Sequence, residues 1–450
     1  MWWSLPSLKL YHASTWSQYV EGLCDVSELC PCTSLRRDVQ QTGGAVEQRG
    51  PRIAPPAHAA LPQRHPTMSS AVRLEVRRSM LTATLILSGL EGKRFPIDIS
   101  VSQSSLQIQS PDHSEEFLLP QEVKLVPSTC RYVQHVSGEG LHMRLKAQAV
   151  EAREITPTFK ELLKTKEKFT FYCQSCGAVV LQEQQFLRVL PLPSENWSSL
   201  VEEWCCHPDP FANRSCLPKV NDCFLGDTFL LVNKANISDP SRETNEMSSV
   251  LHPVDENVSK SKENTKVVCK RCKAILGETV SSEAIKYHIT EVMILPSSEA
   301  YSMIARTQFV ESVIVRLLME LSTSRSTFRF CIQGQDGKLF LLLWLLNTDT
   351  VLVEIKKSAS ASSCFFSGNA SCDSKNVPEV QNVARVLYMS CVDNPNAELE
   401  DKWMNETGAH SLTFPPSTCL ELILLLSLNN STLPHSLRFM NNWKVAYLKI

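Results

Sequence analysis

Long apolar runs are missing from this chain of 450 residues. No segment approaches the ~18 consecutive apolar residues that a membrane-spanning helix needs. The longest runs, 339–346 and 420–426, suit buried strands or a short helix. Glycine is scarce, at 15 residues, and aromatics reach only 7%, which argues against a collagen-like chain or a repeat array. Net charge is nearly absent: Lys+Arg 45 against Asp+Glu 47 leaves −2, so no global basic field recruits nucleic acid or anionic lipid. Neither a membrane nor a nucleic acid is therefore an expected direct partner. The N-terminus (MWWSLPSLKLYHAS) lacks the apolar stretch and small-residue cleavage site of a secretory leader. The expected location is the reducing cytoplasm, with the nucleus as a second compartment, where sequons such as Asn196-Trp-Ser and Asn236-Ile-Ser have no role.

What is present is an ordinary globular composition, 43% hydrophobic and 20% charged, long enough for about three domains. Residues 1–67 hold Arg/Gln/Pro-rich stretches without a sustained period and read as a poorly ordered extension; Met68 is an alternative start. From Val72 apolar residues alternate with polar ones, through Leu74, Val76, Leu85, Leu87, Ile97, Ile99, Leu106, Ile108, Met143 and Leu145. That period of two predicts an antiparallel β module over 68–155. A zinc-binding module is expected over 165–295, with a disordered polar insertion at 234–266. The remainder, 300–450, reads as an α+β module. Its helical stripe is Phe309, Val313, Leu317 and Leu321, and a hairpin turns at Asp336-Gly337. A polar loop is expected at about 355–380, then a strand at 383–388, a helix at 418–428 and a last strand at 445–448. The fold class is thus α+β, mainly β.

In a reducing compartment 17 cysteines are metal ligands, nucleophiles or core filler rather than disulfides. Two Cys-x-x-Cys knuckles stand out, Cys173-Gln-Ser-Cys176 and Cys269-Lys-Arg-Cys272, each between strand-like stretches. Two intervening residues let a tight turn aim both sulfurs at one point, half of a tetrahedral zinc site, and two knuckles complete a closed structural one. A redox motif is the competing reading, but it wants a thioredoxin-like βαβ context that is absent. With Gly226 and Leu276-Gly277 nearby, the pattern resembles the zinc ribbons of the β-tent group, the Yippee and cereblon-type domains.

Two further segments could carry chemistry. Trp204-Cys205-Cys206-His207-Pro208-Asp209-Pro210 is held out of helix by its prolines. Its thiols and imidazole could ligate zinc in this chain or reach a partner's metal; equally, Trp204 and Cys205 could be core residues. Cys216 and Cys223 are spare ligands. In the tail, Thr418-x-x-Glu421 before an apolar run is a capping-box pattern, which would put Cys419 in a first helical turn where free N–H groups favour a thiolate. A small buried hydrophobe is the alternative for Cys419. No Cys/His/Asn grouping, phosphate-cradling glycine loop or His-Glu-x-x-His motif supports a hydrolase or nucleotide enzyme.

The segments TFYCQSCG, RVLPLPSENW, EEWCCHPDPFAN, KVVCKRCKAILGETVSSE, STFRFCIQGQD, LLWLLN and VAYLKI together resemble the HECT-like ubiquitin-protein ligases that bind ubiquitin-conjugating enzymes. The likeness runs in order over about 69–450. It implies an enzyme that accepts ubiquitin from a conjugating enzyme as a thioester and passes it to substrate lysines, cyclin-type substrates among them, for proteasomal degradation. It also implies Cys419 as the nucleophile, with Thr418, Glu421 and Tyr447 in supporting places. Leu420 and Tyr447 stand where HECT ligases carry Phe, and no full HECT amino-terminal lobe is evident. Similar proteins are associated with a second role, inhibition of the zinc endonuclease of pre-mRNA 3′-end cleavage. There Cys206, flanked by Trp204, Cys205 and His207, would coordinate the partner's metal. A zinc-stapled adaptor without chemistry is the third reading.

Overall fold

The computed structural model describes residues 71–88, 98–110, 113–127, 129–148, 159–192, 217–236, 242–244, 265–356, 378–392, 397–405 and 408–450. All of these fall within one unit, Pro66–Ile450.

The alternating residues after Val72 form a strand, Ala71–Arg77, that pairs antiparallel with Thr82–Ser88 on one side. On its other side it pairs with the second half of an 18-residue strand, Leu339–Lys356. The register explains this long-range pairing. Val72, Leu74 and Val76 lie opposite Ile355, Val353 and Val351, all buried on one face. On the other face Arg73 donates to Glu354 at 2.7 Å. Apolar cross-strand pairs and one opposed charge pair fix the alignment.

Leu339–Lys356 is the spine of a ten-stranded sheet. Its first half forms the expected hairpin with Arg329–Gly334, and its stretch from Leu341 to Glu354 pairs with Glu379–Ser390. Trp443–Lys449 pairs onto Glu379–Ser390, so the C-terminal strand lies inside the sheet. Strands from both the 68–155 and 300–450 segments therefore share one sheet. The loop expected at about 355–380 lies, for residues 357–377, outside the described residues. A three-stranded sheet, Asp98–Val101, Ser105–Ser110 and His113–Leu118, packs its Leu106, Ile108 and Phe117 into the same N-terminal core.

The central segment contributes a seven-stranded sheet that includes Lys266–Cys269 and a three-stranded one in which Lys168–Cys173 is central. Of the 234–266 insertion, only Lys234–Asn236, Arg242–Thr244 and residues 265–266 are described.

Three helices complete the C-terminal part: α1, Arg306–Arg325; α2, Ala397–Asn405; and α3, Pro416–Thr432. Helix α1 buries Phe309, Val310, Ile314, Leu317, Leu318 and Leu321, the face its periodicity predicts. Ser326 ends it in the left-handed region at φ 53°. Helix α3 shares a core with α1 through Leu422 and Leu426. The architecture is α+β and mainly β.

Candidate functional site

The two knuckles are built alike. Lys168–Cys173 and Lys266–Cys269 each end on the first cysteine of their pair. In the first, the Cys173 carbonyl accepts from the Gly177 N–H at 2.8 Å; in the second, the Cys269 carbonyl accepts from the Lys273 N–H at 2.8 Å. The fifth residue is left-handed in both, at φ 72° for Gly177 and 63° for Lys273. Glycine is required in the first, because a Cβ at Gly177 would lie 2.8 Å from the Tyr301 ring.

This brings four sulfurs from distant parts of the chain together, all within 4.8 Å of one another. Cys173 Sγ lies 3.6 Å from Cys272 Sγ, and Cys176 Sγ lies 3.7 Å from Cys269 Sγ. A tetrahedral ion with metal–sulfur bonds of ~2.3 Å separates its ligands by ~3.8 Å, so the donor set fits a closed metal site. Burial pushes the Cys173 and Cys176 thiols up. Burial also acts on Cys269, but the backbone N–H groups of Cys272 and Arg271 outweigh it and hold that thiol below its ordinary range. Such a set ionises fully only around a cation. The centre joins two sheets, Cys173 belonging to the three-stranded and Cys269 to the seven-stranded one. Arg271 from the second knuckle donates to the Cys176 carbonyl of the first at 3.3 Å, which adds a positive charge beside the sulfurs.

From the first knuckle a polar network leads to helix α3. Gln174, inside the knuckle, takes its backbone N–H to the Glu291 carbonyl at 3.1 Å and its amide to the Ile304 carbonyl at 3.2 Å. The Gln174 amide oxygen accepts from Arg306 at 3.4 Å. The same guanidinium donates to Glu291 Oε1 at 2.8 Å, Glu421 Oε2 at 2.9 Å, Thr418 Oγ1 at 3.2 Å and the Thr290 carbonyl. Thr418 in turn donates to Glu291 Oε1 at 3.0 Å. Gln174, Thr290, Glu291 and Thr418 are all buried.

This arrangement corrects the capping-box expectation. Helix α3 starts before Thr418, with Pro415 at the N-cap position, Pro416 in the first turn and no side-chain cap. Proline at a helix start has no N–H to leave unpaired and its φ is already set, so a side-chain cap is unnecessary. Thr418 and Glu421 are thereby free to bind Glu291 and Arg306.

Cys419 does sit in the first turn of α3, its N–H bonded to the Pro415 carbonyl at 3.1 Å. Its side chain is 1% exposed and packs in the core shared with Val310 and Phe330. The thiol donates to the Gln333 carbonyl at 3.4 Å. Burial, with the negative charge of Asp336 adding to it, pushes the Cys419 thiol up to about 12. Backbone hydrogen bonds at Phe414 and Cys419 act in the opposite direction, as the helix start would suggest, but burial outweighs them.

Tyr447 lies in a separate core cluster from Cys419. Its hydroxyl donates to Glu75 Oε2 at 2.6 Å, which ties the last strand of the chain to the first described one. Cys223 is buried on its strand, outside the four-sulfur cluster. The segment carrying Trp204, Cys205, Cys206 and His207, together with Cys216, lies outside the described residues. Sequence reasoning missed Arg306, Glu291 and Gln174. Nothing in their local sequence marks them, because their partners are up to 132 residues away.

A family description, HECT-like ubiquitin-conjugating enzyme (E2)-binding, matches residues 75–445. The chain is 48% identical over 393 residues to the E3 ubiquitin-protein ligase "E three D" of Bos taurus, covering 84% of this chain and 98% of that one. It is 46% identical over 388 residues to that of Homo sapiens, covering 84% and 98%. An uncharacterized protein of Saccharomyces cerevisiae is 21% identical over 299 residues, 65% of this chain and 72% of its own. No solved structure matches. With the match running through both knuckles, the Arg306 network and helix α3, the chain belongs to the family of HECT-like proteins that bind ubiquitin-conjugating enzymes.

Proposed function

We propose that this chain is an E3 ubiquitin-protein ligase that engages a ubiquitin-charged conjugating enzyme and promotes transfer to a substrate lysine. The match across residues 75–445 carries this reading, and the names of its relatives support it. Cys173, Cys176, Cys269 and Cys272 would hold a zinc ion, whose contribution when bound is to close the two sheets around one point and add folding free energy. Proteasomal degradation, cyclin-type substrates and a cytoplasmic site of action belong to the same reading.

One route that needs no cysteine of this chain is direct transfer. The substrate ε-amine attacks the thioester carbonyl on the conjugating enzyme, the carbon–sulfur bond breaks, an isopeptide bond forms, and the enzyme's sulfur leaves as a thiolate. The amine proton passes to solvent base. The chain's part is to hold the charged enzyme in a reactive pose, a proximity effect that raises the rate. Burial of Cys419 counts against a relay through that residue, since a buried thiol pushed up to about 12 is a poor nucleophile.

A relay through Cys419 is the second reading, supported by its place in the first turn of a helix near the C-terminus. It requires that turn to open and expose the sulfur. Single-turnover discharge, run on non-reducing gels with wild type and Cys419→Ala, separates the two: a thiol-sensitive ubiquitin adduct lost in the variant establishes the relay. Endonuclease inhibition through Cys206 is a distinct proposal that rests on the sequence resemblance, and it fails if Cys206→Ala inhibits as well as wild type.

A further inference from the structure

A short buried path ties the first knuckle to the start of helix α3. Cys173 stands directly opposite Val292 in the antiparallel ladder, and the Gln174 N–H donates to the Glu291 carbonyl at 3.1 Å. The knuckle thereby sets where Glu291 sits. The Glu291 carboxylate accepts from Thr418 Oγ1 at 3.0 Å and from Arg306 at 2.8 Å. Gln174, Glu291 and Thr418 are 4%, 7% and 0% exposed, so these contacts are shielded from competing water. Thr418 is the residue before Cys419.

Cys419 itself lies only one layer deep. Ser417 and Leu420, on either side of the Thr418–Cys419 pair, are exposed. Fraying of this one turn would bring the sulfur to solvent, away from the Gln333 carbonyl to which it donates. No side-chain cap closes the turn, and helix ends are where local opening costs least. Beyond its own backbone and core packing, its fastening is Thr418 on Glu291.

We infer that a metal ion at Cys173, Cys176, Cys269 and Cys272 is a latch on Cys419: the occupied centre holds the first turn of α3 shut, and loss of the ion exposes that thiol. This rests on the metal site proposed above and goes beyond its folding role. The two states are the closed turn and a locally opened one, and the ion biases them by binding the chain whose knuckle is in place. Without the ion, four thiols drawn from two sheets have no bond to hold them together. The knuckle then relaxes, Glu291 loses its register and Thr418 its anchor. Arg306 does not replace that anchor, because it reaches Gln174, Thr290 and Glu291 itself. Cys331 and Cys391 supply the control, being 1% and 7% exposed in a separate core cluster with Trp403.

The test compares the full chain as purified with the same chain stripped by a chelator, each treated briefly with iodoacetamide under native conditions. Elemental analysis reads the metal, and peptide mass spectrometry reads the labelling rate of each cysteine. Removal of the ion is expected to raise the Cys419 rate about tenfold or more, with Cys331 and Cys391 within about twofold of their starting rates. Returning zinc is expected to restore protection. Cys272→Ser supplies the metal-free chain if the chelator fails to strip it. Thr418→Val keeps the shape but cuts the tie to Glu291; it is expected to retain its ion and still label rapidly at Cys419. Unchanged Cys419 labelling in the metal-free chain, or a Thr418→Val chain that labels as wild type, overturns the inference and leaves the metal site standing. Parallel rises at Cys419, Cys331 and Cys391 overturn it too, for then the chain opens as a whole. A purified chain that holds no metal overturns the metal-site reading and this inference with it.

Discussion

Arg306 Nη2 stands 3.2 Å from Thr418 Oγ1, the residue directly before Cys419, while Nη1 of the same guanidinium reaches Gln174 between two metal-site cysteines. One side chain thus joins the knuckle, the Thr290–Glu291 turn and the first turn of α3. Replacing it leaves the Glu291 carboxylate, whose side chain is 9% exposed, with the Thr290 and Thr418 hydroxyls but without its charge partner. Arg306→Ala is expected to destabilise the chain by roughly 2 kcal/mol, less than breaking a fully buried pair because the guanidinium is itself partly wet and two hydroxyls still serve Glu291. Arg306→Lys keeps the charge but not the fork and is expected to recover less than half. Urea unfolding of the three proteins checks this, and an Arg306→Ala chain as stable as wild type contradicts it.

Elemental analysis of the purified chain is expected to give one tightly held metal ion, zinc, per molecule. Cys269→Ser is expected to lose it and to unfold at markedly lower denaturant. Gly177→Ala is expected to weaken retention of the ion without touching a ligand, since its Cβ meets the Tyr301 ring. Full metal content in Cys269→Ser is the outcome that rules the site out.

Cys419 is expected to resist alkylation at pH 7.5 in the native chain, on account of its burial and a thiol pushed up to about 12. Among the described cysteines outside the metal cluster, exposed Cys130 is expected to react before Cys419. Mass spectrometry of peptides after brief iodoacetamide treatment reads the order directly, and rapid native labelling of Cys419 shows that its helix turn opens readily.

His288 carries the acid sensitivity. Its Nε2 accepts from the Gln335 amide at 2.9 Å, which an imidazole does only when that nitrogen is unprotonated. Burial, with Lys286 acting in the same direction, lowers it from 6.5 to about 4. Between those values the unfolded chain binds a proton that the folded chain does not. The stability is therefore complete above about pH 6.5 and lost as pH falls toward 4, by up to roughly 3 kcal/mol. His288→Gln is expected to flatten this slope in thermal midpoints measured from pH 4.5 to 7.5. An unchanged slope assigns the sensitivity elsewhere.

The sequence is legible where one element or one turn carries the information. The period-two residues from Val72, the α1 stripe from Phe309, the Asp336-Gly337 hairpin and the paired knuckles all appear as expected. What escaped is information shared between distant segments. No local pattern reports that Val72, Leu74 and Val76 pair with Ile355, Val353 and Val351, since the complementarity exists only once the strands meet. Thr418 and Glu421 misled for the same reason: their spacing satisfies a capping box, but Pro415 and Pro416 make the cap unnecessary and Arg306 claims both side chains. Cys419 was placed in its turn correctly, but the side on which its sulfur lies is set by the Gln333 carbonyl of another strand.

The most direct measurement is discharge of a ubiquitin-charged conjugating enzyme onto free lysine in a single turnover, with and without this chain. Wild type is predicted to accelerate discharge severalfold, and Cys419→Ala to accelerate it equally without a thiol-sensitive adduct on either protein. Discharge that wild type leaves at the background rate, across a panel of conjugating enzymes and with the metal site intact, contradicts the account.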